Sequence, residues 1–133
     1  MRTIKFRGYG IVEKKWFYGN LVEGNAGRYI TDAYYEEGQG DMIRYDPIQT
    51  KTIGQFTGLL DKNGKEIYEG DVIQGGRNNG LLIKYDENEA SYFAYILPIS
   101  EFPRKRRVYQ NWINKYNKVV IGNIHDNPEL MKS

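Results

Sequence analysis

The sequence predicts an all-β protein with a minor helical component. Three observations carry this. Turn residues recur at short intervals, with 15 glycines among 133 residues. Between them lie short runs rich in Val, Ile, Thr, Tyr and Phe, residues that fit a pleated, half-buried surface. Aromatic residues make up 14% of the chain, 12 of them tyrosines, so there is apolar surface enough to offset the entropy of ordering.

The elements follow in order. Ile4 and Phe6 alternate with Lys5 and Arg7 as an opening strand. Trp16, Tyr18 and Leu21 mark a second, and Tyr29 to Tyr35 a third. Glu36 to Tyr45, with Gly38, Gly40 and several acids, reads as a loop. Thr52 to Leu60 reads as a strand, and Asp61-Lys62-Asn63-Gly64 as the tight turn after it, because Asn-Gly supplies positive φ. Lys65 to Tyr68 returns, Glu69-Gly70-Asp71 bends the chain, and Val72 to Gln74 leads to a hairpin tip at Gly75-Gly76-Arg77-Asn78-Asn79-Gly80. Leu81, Ile83 and Tyr85 alternate with Leu82 and Lys84; Leu81 to Ile83 and Tyr92 to Leu97 are apolar on both faces, on either side of a turn at Asp86 to Glu89. Such strands are buried on both sides, as in a small barrel or sandwich.

Pro98 and Pro103 end that run. Val108, Trp112, Ile113 and Tyr116 then fall at helical spacing, predicting a short helix over 107–116. Val119 to Ile124 forms a closing strand. Asp126-Asn127-Pro128-Glu129-Leu130 is a helix start, an Asx cap followed by a proline whose missing N–H costs nothing there, so a helical turn ends the chain.

Composition excludes several chemistries. Zero cysteines remove disulfides, thiol nucleophiles and thiolate metal sites. His125 is the one histidine, without the orienting partner and nucleophile that catalysis needs. Ser91, Ser100 and Ser133 stand in no Gly-x-Ser-x-Gly frame. The acids Asp61, Glu66, Glu69, Asp71, Asp86, Glu87 and Glu89 match no metal loop, and Asp61-Lys62-Asn63-Gly64 lacks the later ligands of a calcium loop. The Gly75–Gly80 stretch has no Gly-Lys-Ser/Thr opening a helix, so it is no phosphate loop. The opening residues lack a secretory apolar region, and no run approaches the ~20 apolar residues of a membrane span. The expectation is therefore no catalytic residue, no cofactor, no metal and no membrane partner.

Two long stretches, with the opening Arg2-Thr3-Ile4-Lys5-Phe6-Arg7, carry a resemblance. One runs Thr52-Ile53-Gly54-Gln55-Phe56-Thr57-Gly58-Leu59 into Asp61-Lys62-Asn63-Gly64-Lys65-Glu66-Ile67-Tyr68-Glu69-Gly70-Asp71-Val72-Ile73. The other is Val120-Ile121-Gly122-Asn123-Ile124-His125-Asp126-Asn127-Pro128-Glu129-Leu130. Together they resemble the YopX family of bacteriophages and prophages, over nearly the whole chain. The resemblance implies an all-β protein whose C-terminal portion is an SH3-type barrel. Residues 1–50 would be an N-terminal β extension packed on a 51–133 barrel, the whole forming one compact unit. It does not imply a catalytic site, since the family has no established activity, and with no cysteine and no signal in the sequence the expected setting is the host cytoplasm. The segments Asn25 to Asp46 and Arg104 to Lys118 fall where family members vary, which points to them for any specific function.

The shared motifs also read as structure. Gly58, Gly64 and Gly70 are expected at bends where a Cβ would clash. Asp71 is expected to cap backbone N–H groups. The segment from Gly122 through Asn127, Pro128 and Leu130 is expected to dock the chain end and close the barrel.

Charge supplies the one functional lead. Residues 101–133 hold seven cations against three acids, a net +4, while 1–50 is neutral and 51–100 is −2. The candidate patch is Arg104, Lys105, Arg106, Arg107, Tyr109, Lys115 and Lys118, cations interleaved with aromatics as nucleic-acid binding requires. The expected function is a non-catalytic phage or prophage module that binds a host or phage protein or a second copy of itself. The alternative is nucleic-acid binding through 104–118, and an enzyme ranks last.

Overall fold

The computed structural model describes residues 2–76 and 79–132. It divides into two compact units, Met1–Phe56 and Thr57–Ser133.

The first unit contains β1 (Phe6–Tyr9), β2 (Trp16–Glu23), β3 (Arg28–Glu36), β4 (Gly40–Ile48), a 3-10 turn at Thr50–Thr52, and the start of β5 (Gly54–Leu60). Its sheet runs β4-β3-β2-β1-β5, each neighbour antiparallel. Ile30 and Ile48 are fully buried within it. The Thr52 hydroxyl donates to the Gln49 carbonyl at 2.6 Å and accepts from the Tyr9 N–H at 2.8 Å, fixing the turn against β1. The opening strand begins later than the alternation predicts: Ile4 is exposed, and it is Arg7 that is buried. The Arg7 guanidinium lies 4.8 Å from the centre of the Trp16 ring, so a planar cation that the alternation places on the polar side is turned inward.

The expected loop at Glu36 to Tyr45 is corrected by the structure. It holds the turn and most of β4, which pairs with β3 from Arg28↔Ile48 to Glu36↔Gly40. Gly38 and Gly40, at φ +86° and +82°, make the turn rather than a loop. The acids of this stretch are exposed, Glu36 at the end of β3, Glu37 in the turn and Asp41 in β4.

The second unit holds the rest of β5, β6 (Glu66–Tyr68) beside it, and a five-stranded antiparallel sheet. That sheet is ordered β10 (Lys105–Arg107), β9 (Ser91–Ile96), β8 (Gly80–Asp86), β7 (Asp71–Gln74), β11 (Val120–Asn123). One face carries Ile73, Leu81, Ile83 and Ala94, packed with Ile67, Val108, and Trp112 and Ile113 of α1 (Gln110–Lys115). The other carries Val72, Leu82 and Leu97, covered by Ile124, Leu130 and Met131. Every position of β8 from Gly80 to Ile83 is buried, as its two-sided apolar character predicts. The chain ends in the expected helical turn, a 3-10 turn at Pro128–Lys132.

The predicted helix is shorter than 107–116. Arg107 belongs to β10, and Tyr109, extended at φ −149° and ψ 159°, precedes α1. The cationic run conceals a strand because its pairing information lies in β9, opposite Phe93, Ala94 and Tyr95, and not in its own apolar pattern. At the Gly75–Gly80 tip, Gly75 N–H donates to the Asn79 carbonyl at 2.7 Å; Arg77 and Asn78 lie outside the described residues. No helix among the described residues is long and apolar enough to cross a membrane.

Candidate functional site

The basic segment is split by the two faces of β10. Lys105 and Arg107 lie on one face. Lys105 is ion-paired with Asp86 and sits 4.6 Å from the centre of the Phe93 ring. Arg107 meets Glu89 at 3.3 Å and the Ser91 hydroxyl at 3.0 Å. Asp86 gathers further donors, the N–H groups of Asn88 and Glu89 at 2.9 and 3.1 Å and the Tyr95 hydroxyl at 3.2 Å. The Lys105 ammonium, against some desolvation, pushes the Asp86 carboxyl down to about 2, and Lys105 is raised in return. These two cations are committed to the turn between β8 and β9.

Arg106 points to the opposite face by strand alternation. Its guanidinium lies 4.4 Å from the centre of the Trp112 ring, and the Lys118 ammonium lies 5.4 Å from the same ring. Burial, and then the Arg106 charge, hold the Lys118 ammonium below its ordinary range. Lys115 lies 5.4 Å from the Tyr116 ring, Arg104 is exposed while its carbonyl accepts the Ile96 N–H at 3.0 Å, and Tyr109 is half exposed. Among the described residues Arg104, Arg106, Lys115 and Lys118 meet no carboxylate. The structure thus brings Arg106 and Lys118 together and assigns Lys105 and Arg107 elsewhere.

The motif residues are structural. Gly58, Gly64 and Gly70 take φ of +86°, +84° and +94°. Space around Gly58 and Gly64 is open, so backbone rotation and not crowding is what calls for glycine there, correcting the expected clash. Asp71, buried, accepts the Tyr68 N–H at 2.7 Å. Gly122 is the crowded one: a Cβ would meet the Asn127 side chain and come 2.9 Å from Leu130 Cδ1. Asn127 Oδ1 accepts the Asn123 N–H at 3.2 Å, just before Pro128. The Asx turn here belongs to Asn123, whose Oδ1 accepts the N–H groups of His125 and Asp126, both at 2.9 Å. Leu130 packs on the Val72, Leu82 and Leu97 cluster. His125 occupies this turn.

Sequence reasoning missed β4. Its outer hairpin with β3 carries Tyr34 (43% exposed), Tyr35 (73%), Ile43 (59%) and Tyr45 (60%). The alternation of Ile43, Tyr45 and Pro47 with Arg44 and Asp46 was the available signal, masked by the neighbouring glycines and acids. An open cleft of about 380 Å³ beside this hairpin is lined by Trp16, Phe17, Tyr18, Ile30, Asp32 and Arg44 among others. Arg44 there bonds Asp46 at 3.3 Å and Glu13 at 3.1 Å, and Asp46 above all raises its pKa.

No curated protein matches the chain. It is similar to a crystal structure of protein EF1440 from Enterococcus faecalis, at 27% identity over 99% of this chain and 100% of that one, with a TM-score of 0.65. The family model described as "YopX protein" matches residues 5–132. With that match over nearly its whole length, the chain belongs to the YopX family.

Proposed function

We propose that this protein is a non-catalytic binding module that takes a protein partner as an added strand along β4. The observation that carries the reading is the contrast between two sheet edges. β10 is three residues long and wholly cationic, the form by which proteins blunt an edge. β4 ends its sheet over nine residues and presents Tyr34, Tyr35, Ile43 and Tyr45 beside it. Among the described residues its main chain is met at the far end, where the Pro47 carbonyl accepts the Ile11 N–H at 2.9 Å and Ile48 bridges Gly10. A long open edge flanked by tyrosines suits strand addition, with main-chain bonds giving affinity and side chains specificity. A phage or prophage accessory role, a host-cytoplasm setting and an SH3-type barrel for the second unit go with this reading, supported by the family resemblance and by strands buried on both faces.

The test is recovery of partners by the tagged protein from host cells with nuclease present, each partner then identified and rebound in purified form. An Ile43→Asp, Tyr45→Ser variant should lose the purified partner while melting as the wild type does. A second copy as the captured chain would show in the mass of the purified protein. Equal capture by the variant would sink the reading.

A further inference from the structure

We propose that Arg106 and Lys118, assembled on the Trp112 ring, form a binding site for a phosphate group. Strand alternation supplies two of the three β10 cations with carboxylates, Asp86 and Glu89, and turns Arg106 away from both. What Arg106 shares the Trp112 ring with is a second cation, Lys118. The two charges stand 4.4 and 5.4 Å from one ring centre with no acid to relieve them among the described residues. The Arg106 charge acts on Lys118, so the two like charges repel while the ring attracts each. A phosphate oxyanion would offset that repulsion, taking the guanidinium fork through two oxygens and the ammonium through a third. The proton affinity of Lys118 is lowered first by burial and then by the Arg106 charge.

The backbone holds the site ready. Lys118 N–H donates to the Ile113 carbonyl at 3.0 Å, and the Lys118 carbonyl accepts the Lys62 N–H at 2.8 Å. Ligand binding then costs little ordering. Tyr109 and Tyr116, about half exposed at the two ends of α1, offer stacking surfaces to the bases of a single strand. The shared chemistry is the phosphate group, whether free or within a single-stranded nucleic acid. The site uses none of the residues of the β4 edge, so either proposal can fail alone.

The experiment titrates the full-length protein with inorganic phosphate by calorimetry and with a labelled short oligothymidine by fluorescence anisotropy. Arg106→Gln and Lys118→Gln are compared with Lys51→Gln, which removes one exposed charge elsewhere. Each site variant should weaken binding by roughly tenfold, and Lys51→Gln should not. Oligothymidine binding that phosphate competes away and that falls with salt assigns the site to nucleic acid. Phosphate binding alone assigns it to a free phosphate ligand. Absence of both, or equal weakening by Lys51→Gln, overturns the site and leaves the two cations as cover for Trp112. Unchanged melting of the variants shows that a loss comes from the site and not from unfolding.

Discussion

Asp61 Oδ2 accepts the backbone N–H of Val120 at 3.0 Å, while its Oδ1 accepts those of Asn63 and Lys65 at 2.8 and 2.9 Å. One buried carboxylate therefore closes the β5–β6 turn and ties it to the start of β11. Asp61→Ala leaves three donors to find other partners and should cost about 3 kcal/mol. Asp61→Asn keeps an acceptor oxygen and should cost less. Burial pushes the Asp61 pKa up, and the three N–H donors together outweigh it, so the net shift is downward. The sign follows: the ionised form stabilises the fold above the ordinary value of 3.8, and that contribution fades as pH falls through the lowered one. Urea unfolding at several pH values checks both, and an Asp61→Ala protein as stable as wild type would refute the assignment.

The Asp86–Lys105 pair sets a second acid-sensitive contribution. Asp86 is pushed down to about 2, so its stabilisation is complete above 3.8 and disappears on acidification toward pH 2. Lys105, raised above 10.5, contributes fully below that value and loses its share as pH rises through the raised one. The stability difference between wild type and Asp86→Asn should thus be flat through neutral pH and shrink at both extremes. A difference that persists at pH 2 would place its cause in the hydroxyl and N–H contacts of Asp86 and not in the ion pair.

The sequence was most legible where side chains act on their own neighbours. Asn-Gly and Glu-Gly-Asp made turns where predicted, and Pro128, after Asn127, opened a helical turn, because such chemistry spans only a few residues. Leu81 to Ile83 declared two-sided burial by being apolar at consecutive positions. What was hidden depended on distant partners. β10 is a strand because Phe93, Ala94 and Tyr95 present an edge to it, and β4 because β3 does. Arg7 goes inward because Trp16 receives its guanidinium. The basic run read as one patch, but only the register shows that Lys105 and Arg107 answer to Asp86 and Glu89 while Arg106 faces Trp112.

Two glycines should respond differently to one added methyl group. Gly64, at φ +84° with open space around it, pays only the left-handed backbone penalty, so Gly64→Ala should cost about 1 kcal/mol. At Gly122 the methyl would strike Asn127 and Leu130, and Leu130 covers the Val72, Leu82 and Leu97 cluster. Gly122→Ala should cost about 1–3 kcal/mol and raise amide exchange across Pro128–Lys132. Thermal melting and hydrogen exchange distinguish them; selective exchange at the chain end in Gly64→Ala would contradict the assignment.

The two sheet edges make opposite predictions about association. An edge strand offers unpaired N–H and C=O groups, and charge on it keeps other chains away. On β10 that charge is Lys105, Arg106 and Arg107, and two of the three are held in place by acids. Lys105→Thr with Arg107→Thr removes the held pair and substitutes a residue that favours strands, so this variant should aggregate on refolding where wild type does not. Losing the ion pairs alone also destabilises, which could aggregate the protein by a different route. Asp86→Asn with Glu89→Gln controls for that, since it loses the same pairs and keeps the cations on the edge. Light scattering during refolding should therefore rise for the threonine variant and stay near wild type for the amide variant. Equal scattering from both would mean that the cations serve the β8–β9 turn and do not guard the edge.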